Sequence, residues 1–251
     1  MNKPINKSSD LQLAYQRLLA LERFKSGFLA RTSHELRSPI NTIVSLSQLI
    51  LEDLCEGPEE EKAFVAQSKE AALKTLALFD QIAAVSKLDI GREPPKLEAV
   101  DLSFLLPEVE MLTTLQAANQ NVRYSVDAPI DELEIRTDAK WLKNILSSVI
   151  QDSIPYTKTM KLGVKQTGDS VSVFVESERT ASDLQTELDN ISDSSALPED
   201  SEAPGSTLLS TGLVLATAHT ALPLIGGVFT IDSAPGDHSQ CRFNFPRLRS
   251  C

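Results

Sequence analysis

The length and composition of this chain describe an ordinary folded protein of one or two domains. It has 251 residues, of which 41% are hydrophobic and 24% charged. The net charge of −11 argues against nucleic acid as the main partner, because binding to a phosphate backbone needs a basic surface. The three cysteines, Cys55, Cys241 and Cys251, lie far apart and predict reduced thiols rather than a metal site.

The sequence has no sign of membrane insertion. No segment approaches the roughly 20 apolar residues that are needed to span a bilayer. The first twelve residues also lack the apolar core of a signal peptide. We therefore expect a cytoplasmic protein without a membrane span.

Residues 1–92 predict a coiled-coil lead-in followed by a helical hairpin. Gly57 and Pro58 mark the end of one helix and the start of the next. Apolar residues repeat at helical spacing on both sides of this turn: Leu11, Ala14, Leu18 and Leu21, then Ile43, Leu46, Ile50 and Leu54, and finally Phe64, Ala71, Leu78, Ile82 and Val85. Because one hairpin encloses little core, the pattern predicts a dimeric four-helix bundle.

After a hinge at residues 91–95, residues 97–251 predict a second domain of mixed strands and helices. Strands are predicted at 122–126, 133–136, 162–165 and 171–175, helices at 141–153 and 208–222, and a closing hairpin at 228–246. Residues 183–206 contain seven acidic residues and, up to Glu202, no basic ones, which predicts a flexible loop. The predicted fold class is therefore α+β, with a helical hairpin followed by an α/β sandwich.

The most specific motif is the segment 28–41, FLARTSHELRSPIN, in the first predicted helix. A neutral imidazole can accept a phosphoryl group, and a neighbouring carboxylate can orient it and take its proton. A lone His-Glu pair would more often be a surface feature of a helix. With its flanking residues, however, the segment resembles the phosphoacceptor box of bacterial sensor histidine kinases.

This resemblance implies roles for three residues of the box. His34 would carry the phosphoryl group, and Glu35 would orient its imidazole. Ser38 lies one turn later on the same helix face, where the family usually has Thr or Asn to position water for dephosphorylation of a partner. The hydroxyl of Ser38 could serve that purpose.

Residues 97–251 resemble the ATPase-type catalytic domain of the same family, most clearly at 137–142 and 215–236, but the nucleotide motifs differ. Asp152 stands where the family has an Asn that holds Mg²⁺. Ser177 stands where an Asp reads adenine, and Arg179 occupies a glycine position. Of the three glycines in the family's phosphate loop, Gly212 alone is present.

These differences predict impaired or absent ATP binding. Each lost polar contact costs about 1–3 kcal/mol, and micromolar binding is worth about 8 kcal/mol in total. Asp152 and Gly212 are the remaining candidates for cofactor binding, with ATP and Mg²⁺ as the cofactors if any are bound.

Three functions are compatible with the sequence, and all belong to two-component signalling. The first is histidine phosphotransfer, in which His34 exchanges phosphate with the aspartate of a response-regulator receiver domain. The second is a non-catalytic pseudokinase or scaffold that dimerises with, or docks on, a true histidine kinase or a regulator. The third is an active ATP-dependent autokinase. In each case a homodimer is expected.

Overall fold

The computed structural model describes residues 32–33, 35–90, 95–192 and 210–248. For residues 77, 80–90 and 191–192 it describes the backbone and not the side chains. His34, the predicted lead-in at 1–31 and most of the predicted hinge therefore lie outside the described residues. None of the helices in the described ranges is both long enough and apolar enough to cross a membrane.

The predicted helical hairpin is confirmed. Residues 35–51 form helix α1, and helix α2 spans Pro58–Ile90, with three glutamates in its first turn. These carboxylates stabilise the positive N-terminal end of α2. Ala71 and Leu78 of the predicted apolar repeat are buried, whereas Leu54, which was predicted to lie on the same face, is exposed.

A second set of apolar side chains on the hairpin is exposed to solvent. Its members lie on or next to both helices: Ile40, Val44, Leu51, Leu54, Val65, Leu73, Leu76 and Phe79. We call this set the hairpin apolar face. The described residues of one chain leave this surface uncovered, which is unusual for so many large apolar side chains on one hairpin.

The second domain is a mixed sheet packed against helices. Its strands are β1 (Glu98–Asp101), β2 (Arg123–Asp127), β3 (Glu134–Thr137), β4 (Thr159–Thr167), β5 (Ser170–Ser177), β6 (Val228–Ala234) and β7 (His238–Pro246). Its helices are α3 (Leu102–Asn119), α4 (Ala139–Ser153), α5 (Ala181–Ser192) and α6 (Thr211–Ala221), with short 3₁₀ helices at Ile154–Tyr156 and Leu222–Ile225.

Five strands form the main sheet in the order β2-β4-β5-β7-β6, and β1 pairs with β3 in a separate ribbon. The β2-β4 pair is parallel and the other pairs are antiparallel. Alternate residues of β5 and β7 are buried, because successive side chains of a strand point to opposite faces of the sheet. Phe243 and Phe245 of β7 and Leu146 and Ile150 of α4 are among the most deeply buried side chains of this core.

The predicted strands and the helix at 141–153 are confirmed, with boundaries shifted by no more than three residues. The ribbon strand β1 and helix α3 were not predicted from the sequence. The predicted helix at 208–222 begins at Thr211 within the described residues.

The prediction of a flexible loop at 183–206 was wrong for its first part, since helix α5 covers Ala181–Ser192. The Thr180 hydroxyl accepts a hydrogen bond from the Asp183 N–H (3.1 Å), which satisfies a donor of the first turn. Leu184 is buried and Leu188 packs against the core. Two leucines at a spacing of four are enough to anchor an otherwise polar helix, although they give a weak pattern in the sequence.

Asp138 fixes the start of α4 and connects it to the segment that enters the domain. One carboxylate oxygen accepts from the Trp141 N–H (3.1 Å) and the other from the Lys96 N–H (2.8 Å). We expect Asp138→Ala to lower the free energy of unfolding by about 1–2 kcal/mol in urea titrations, since it loses the helix cap. Asp138→Ser keeps one acceptor and should lose less; equal losses in the two variants would contradict this assignment.

Candidate functional site

The residues at the positions of the family's nucleotide motifs lie on three neighbouring segments of the second domain. Asp152 is on the last turn of α4, Arg179 follows the end of β5, and Thr211 begins α6. Helices α4 and α6 contact each other, and α4 also contacts β5. Packing of these elements therefore brings together residues that are far apart in the sequence.

Asp152, Arg179 and Thr211 form one hydrogen-bonded cluster. A guanidinium nitrogen of Arg179 lies 3.3 Å from one carboxylate oxygen of Asp152. The Thr211 hydroxyl donates to the other carboxylate oxygen (2.9 Å) and accepts from the same guanidinium nitrogen (2.9 Å). We call this group the Asp152 cluster.

The charges of the Asp152 cluster are largely removed from solvent. The side chain of Asp152 is 3% exposed and that of Arg179 is 12% exposed. The guanidinium carbon of Arg179 also lies 4.5 Å from the centre of the Tyr156 ring, a cation-π contact. Removing one partner of a buried ion pair typically costs 3–5 kcal/mol, because the other charge is left uncompensated.

Burial raises the pKa of Asp152 to about 6. The positive charge of Arg179 and the hydrogen bond from Thr211 act in the opposite direction, while the nearby carboxylate of Glu187 adds to the rise. Desolvation is the larger effect, since a buried carboxylate loses the hydration that stabilises its charge.

The other positions of the nucleotide motifs are part of the core or of local structure. Ser177 is buried, and its hydroxyl lies 3.5 Å from that of Ser239. Gly212 is buried in the first turn of α6. Glu178 accepts hydrogen bonds from the Lys158 N–H (3.1 Å) and the Thr159 hydroxyl (2.7 Å).

The phosphoacceptor helix meets the second domain at the start of α6. Glu35 on α1 accepts hydrogen bonds from both the backbone N–H (3.3 Å) and the hydroxyl of Ser210, the residue that caps α6. Thr32, one turn earlier, is buried. Glu35 therefore lies at the positive N-terminal end of α6, where a negative charge is favourable.

The structure unites some of the predicted site residues and separates others. At the start of α6, Glu35 is hydrogen-bonded to Ser210 and Asp152 to Thr211, the two residues that precede Gly212. Ser38 is exposed on α1, and its carbonyl oxygen accepts from the Thr42 hydroxyl (3.1 Å). The location of His34 itself stays a prediction.

The sequence analysis identified Arg179 as the replacement for a glycine of the nucleotide motifs. It did not predict that Arg179 pairs with Asp152. It also missed Ser210, Thr211 and Tyr156. One signal in the sequence could have predicted the ion pair. Asp152 replaces an amide in one nucleotide motif and Arg179 replaces a glycine in another, so the two changes introduce opposite charges. Within the described residues, no group of three or more His, Cys, Asp or Glu side chains could hold a metal ion.

Comparison with known proteins gives matches along most of the chain. Residues 24–91 match the family model of the His Kinase A (phospho-acceptor) domain. The aerobic respiration control sensor protein ArcB of Escherichia coli is 28% identical over 227 residues, which are 88% of this chain but 29% of that protein. The sensor histidine kinase GacS of Pseudomonas protegens is 25% identical over 251 residues, 96% of this chain and 27% of that protein. The chain thus spans less than a third of these relatives.

Solved structures show the same fold at low sequence identity. The histidine kinase ThkA, solved in complex with the response regulator protein TrrA, has a TM-score of 0.64 at 16% identity, covering 98% of this chain and 68% of that one. The Acinetobacter baumannii histidine kinase AdeS has a TM-score of 0.61 at 16% identity, covering 86% of this chain and 98% of that one. Residues 24–91 therefore match a His Kinase A phospho-acceptor domain, and the chain as a whole has the fold of these solved histidine kinases.

Proposed function

We propose that this protein carries a phosphoryl group on His34 and exchanges it with the aspartate of a response-regulator receiver domain, without productive binding of ATP. The Asp152 cluster is the observation on which this proposal rests. Its side chains stand at the positions of the nucleotide motifs and are already hydrogen-bonded to one another.

The cluster argues against Mg²⁺ at Asp152. Mg²⁺ in nucleotide sites binds through one or two carboxylates and the substrate phosphates. Here both oxygens of Asp152 are hydrogen-bonded, one by the guanidinium of Arg179 and the other by Thr211. A divalent cation at Asp152 would lie next to a fixed positive charge, and the two would repel each other. These residues do not fit the metal that the family uses.

The energetics favour the occupied cluster over a bound nucleotide. For Mg²⁺-ATP to enter, Arg179 would have to leave Asp152 and the Tyr156 ring. Disrupting a buried pair costs about 3–5 kcal/mol, which is a large part of the roughly 8 kcal/mol that micromolar binding provides. We infer that nucleotide affinity is weak or absent.

The acceptor half of the chain supports phosphotransfer. Residues 24–91 match a phospho-acceptor domain and include the pair His34-Glu35. In the transfer, the O–P bond of a phosphoaspartate breaks as an N–P bond to the imidazole forms, and Glu35 holds the ring and takes its proton. A structure of similar fold, that of ThkA, contains a response regulator.

We also infer that two copies of this chain pair through the hairpin apolar face. The exposed side chains of this face lie on both helices of a phospho-acceptor domain, which together with a second hairpin would form a four-helix bundle. Isologous pairing would bury the same surface on both copies.

The proposed function is tested with labelled phosphate in two arms. Purified protein is incubated with labelled ATP and Mg²⁺, and separately with receiver domains that carry labelled phosphate on their aspartate. We expect label on the protein from a receiver and none from ATP, because only the acceptor half is intact.

His34→Ala is the control in both arms and should remove the label. Label from ATP would contradict the proposal and indicate an autokinase. An absence of label from every receiver domain of the same genome would also contradict it, and would leave the scaffold hypothesis.

The electrostatics of the Asp152 cluster are tested by pH. The folded pKa of Asp152, about 6, lies above its usual value of 3.8, so the native state binds the proton more tightly than the unfolded chain. This contribution to stability is complete below about pH 4 and is lost as the pH rises through 6. Relative to Asp152→Asn, which does not titrate, the wild-type free energy of unfolding should fall by up to about 3 kcal/mol over this range. A difference that does not change with pH would contradict the assignment.

Pairing through the hairpin apolar face is tested by light scattering. Leu51→Glu changes a side chain that is 82% exposed in the single chain, so it should leave the fold of one copy intact. We expect the wild type at twice the 27.4 kDa mass of one chain. The dimer of the variant should dissociate at protein concentrations at least tenfold higher than those at which the wild-type dimer dissociates, since burying an unpaired charge opposes association.

Met111→Glu is the matched control, because Met111 is also 82% exposed but lies on α3 in the other domain. It should not change the mass. A wild-type monomer, or equal effects of the two variants, would contradict pairing through this face.

A further inference from the structure

One face of the main sheet carries polar side chains instead of the apolar core. Met160 and Leu162 of β4 and Val173 and Val175 of β5 are buried together with the apolar side chains of the helices. Because successive side chains of a strand point to opposite faces, the residues that alternate with these four lie on the other face. We call it the open face; the sheet separates it from α4 and α6.

A cavity of about 370 Å³ lies on the open face beside β2, which is an edge strand of the sheet. It extends across the four neighbouring strands β2-β4-β5-β7. Small-molecule sites in proteins have volumes of roughly 300–1,000 Å³, so the cavity is large enough for a small ligand. The side chains of the open face that line it are those of Arg123, Ser125, Thr159, Lys161, Glu176 and His238.

The basic and acidic groups of this cavity lie toward different strands. Lys161 and Glu176 are opposite each other in the register of β4 and β5, but their charged groups contact other partners. Nζ of Lys161 lies 3.1 Å from a carboxylate oxygen of Asp127 on β2. Glu176 accepts a hydrogen bond from the side chain of Gln240 and lies 3.7 Å from Nδ1 of His238, and both of these residues are on β7.

Arg123 adds a second positive charge on the side of β2. It is exposed, and it forms no ion pair with any of the described residues. Arg123 is the register partner of Thr159, two residues before Lys161, so the two long basic side chains can reach one group between them. The carboxylate of Asp127 is 71% exposed, and an anionic ligand can displace such a surface ion pair from Lys161.

We propose that this cavity binds a small molecule that carries a phosphate group. The phosphate lies between Arg123 and Lys161, because a guanidinium and an ammonium group together match its double charge. The other end of the molecule faces Glu176 and His238, which can exchange hydrogen bonds with hydroxyl groups. The lining has two basic side chains and one acidic one, whereas the chain as a whole has a net charge of −11. The attraction for an anion is therefore local to this site.

The first test uses inorganic phosphate as the probe and follows the backbone amides by NMR. The amides of Ser125 and Lys161 should shift and saturate, with a Kd on the order of 1 mM. Arg123→Gln should raise this Kd at least fivefold, since it removes a charge-assisted hydrogen bond. Lys165→Gln is the matched control and should leave the Kd unchanged. It removes the same charge from the same face of β4, but Lys165 does not line the cavity.

Arg123→Lys keeps the positive charge and should restore most of the affinity that Arg123→Gln loses. Equal weakening by Arg123→Gln and Lys165→Gln would overturn the proposal, because phosphate would then respond only to the overall charge of the protein. An absence of saturable shifts at Ser125 and Lys161 up to about 20 mM phosphate would overturn it as well.

The class of ligand is tested with two further probes, acetate and glucose 6-phosphate. Acetate should bind at least fivefold more weakly than phosphate, because it carries a single charge. Glucose 6-phosphate should bind more tightly than phosphate and should also shift the amide of His238, since its hydroxyl groups lie at that end of the cavity. If acetate bound as tightly as phosphate, or if glucose 6-phosphate left His238 unchanged, the assignment of a phosphorylated small molecule would be wrong.

A chemical test needs no variant. Lysine side chains are acetylated with N-hydroxysuccinimidyl acetate, and the rate at each lysine is measured by mass spectrometry. Saturating phosphate should slow the reaction of Lys161 at least threefold and leave that of Lys165, the internal reference, unchanged. Equal rates at Lys161 with and without phosphate would contradict binding at this cavity. None of these measurements involves His34, so their outcome is independent of the proposed function.

Discussion

The arrangement of the second domain depends on how one buried charge is compensated. Asp152 lies inside the domain at 3% exposure, where an isolated carboxylate would be strongly destabilising. Arg179 supplies the opposite charge from the end of β5, and Thr211 supplies a hydrogen bond from α6. The ends of α4, β5 and α6 are thereby linked to one another by polar contacts.

This compensation has a consequence for what the domain can bind. Here the chain provides its own cation, and the ring of Tyr156 covers one face of it. A cluster that is satisfied internally has less to gain from a ligand, because each new contact requires the loss of an existing one. The proposed loss of nucleotide binding is therefore compatible with an intact fold.

At the start of α6, too, a residue of the chain itself provides the opposite charge. A helix N-terminus attracts negative charge through its free N–H groups and its dipole. In this protein Glu35 meets that need, so the acceptor helix and the ATPase-like domain interact directly. The start of α6 thus connects two parts of one chain.

The sequence by itself determined the two-part architecture, the hairpin and most strands of the sheet, because regular apolar repeats, a Gly-Pro turn and β-hairpin signals act locally. It also identified Asp152 and Arg179 as positions where the nucleotide motifs differ, and Gly212 as the one phosphate-loop glycine that is retained. Helix α5 escaped prediction, since two leucines anchor it and only the packed core gives them a partner.

The pairing of Arg179 with Asp152, the contact of Tyr156 and the meeting of Glu35 with Ser210 were decided by the tertiary structure alone. Each joins residues whose separation along the chain carries no local signal. Their proximity results from the packing of α4 against β5 and α6 and from the contact of α1 with the start of α6.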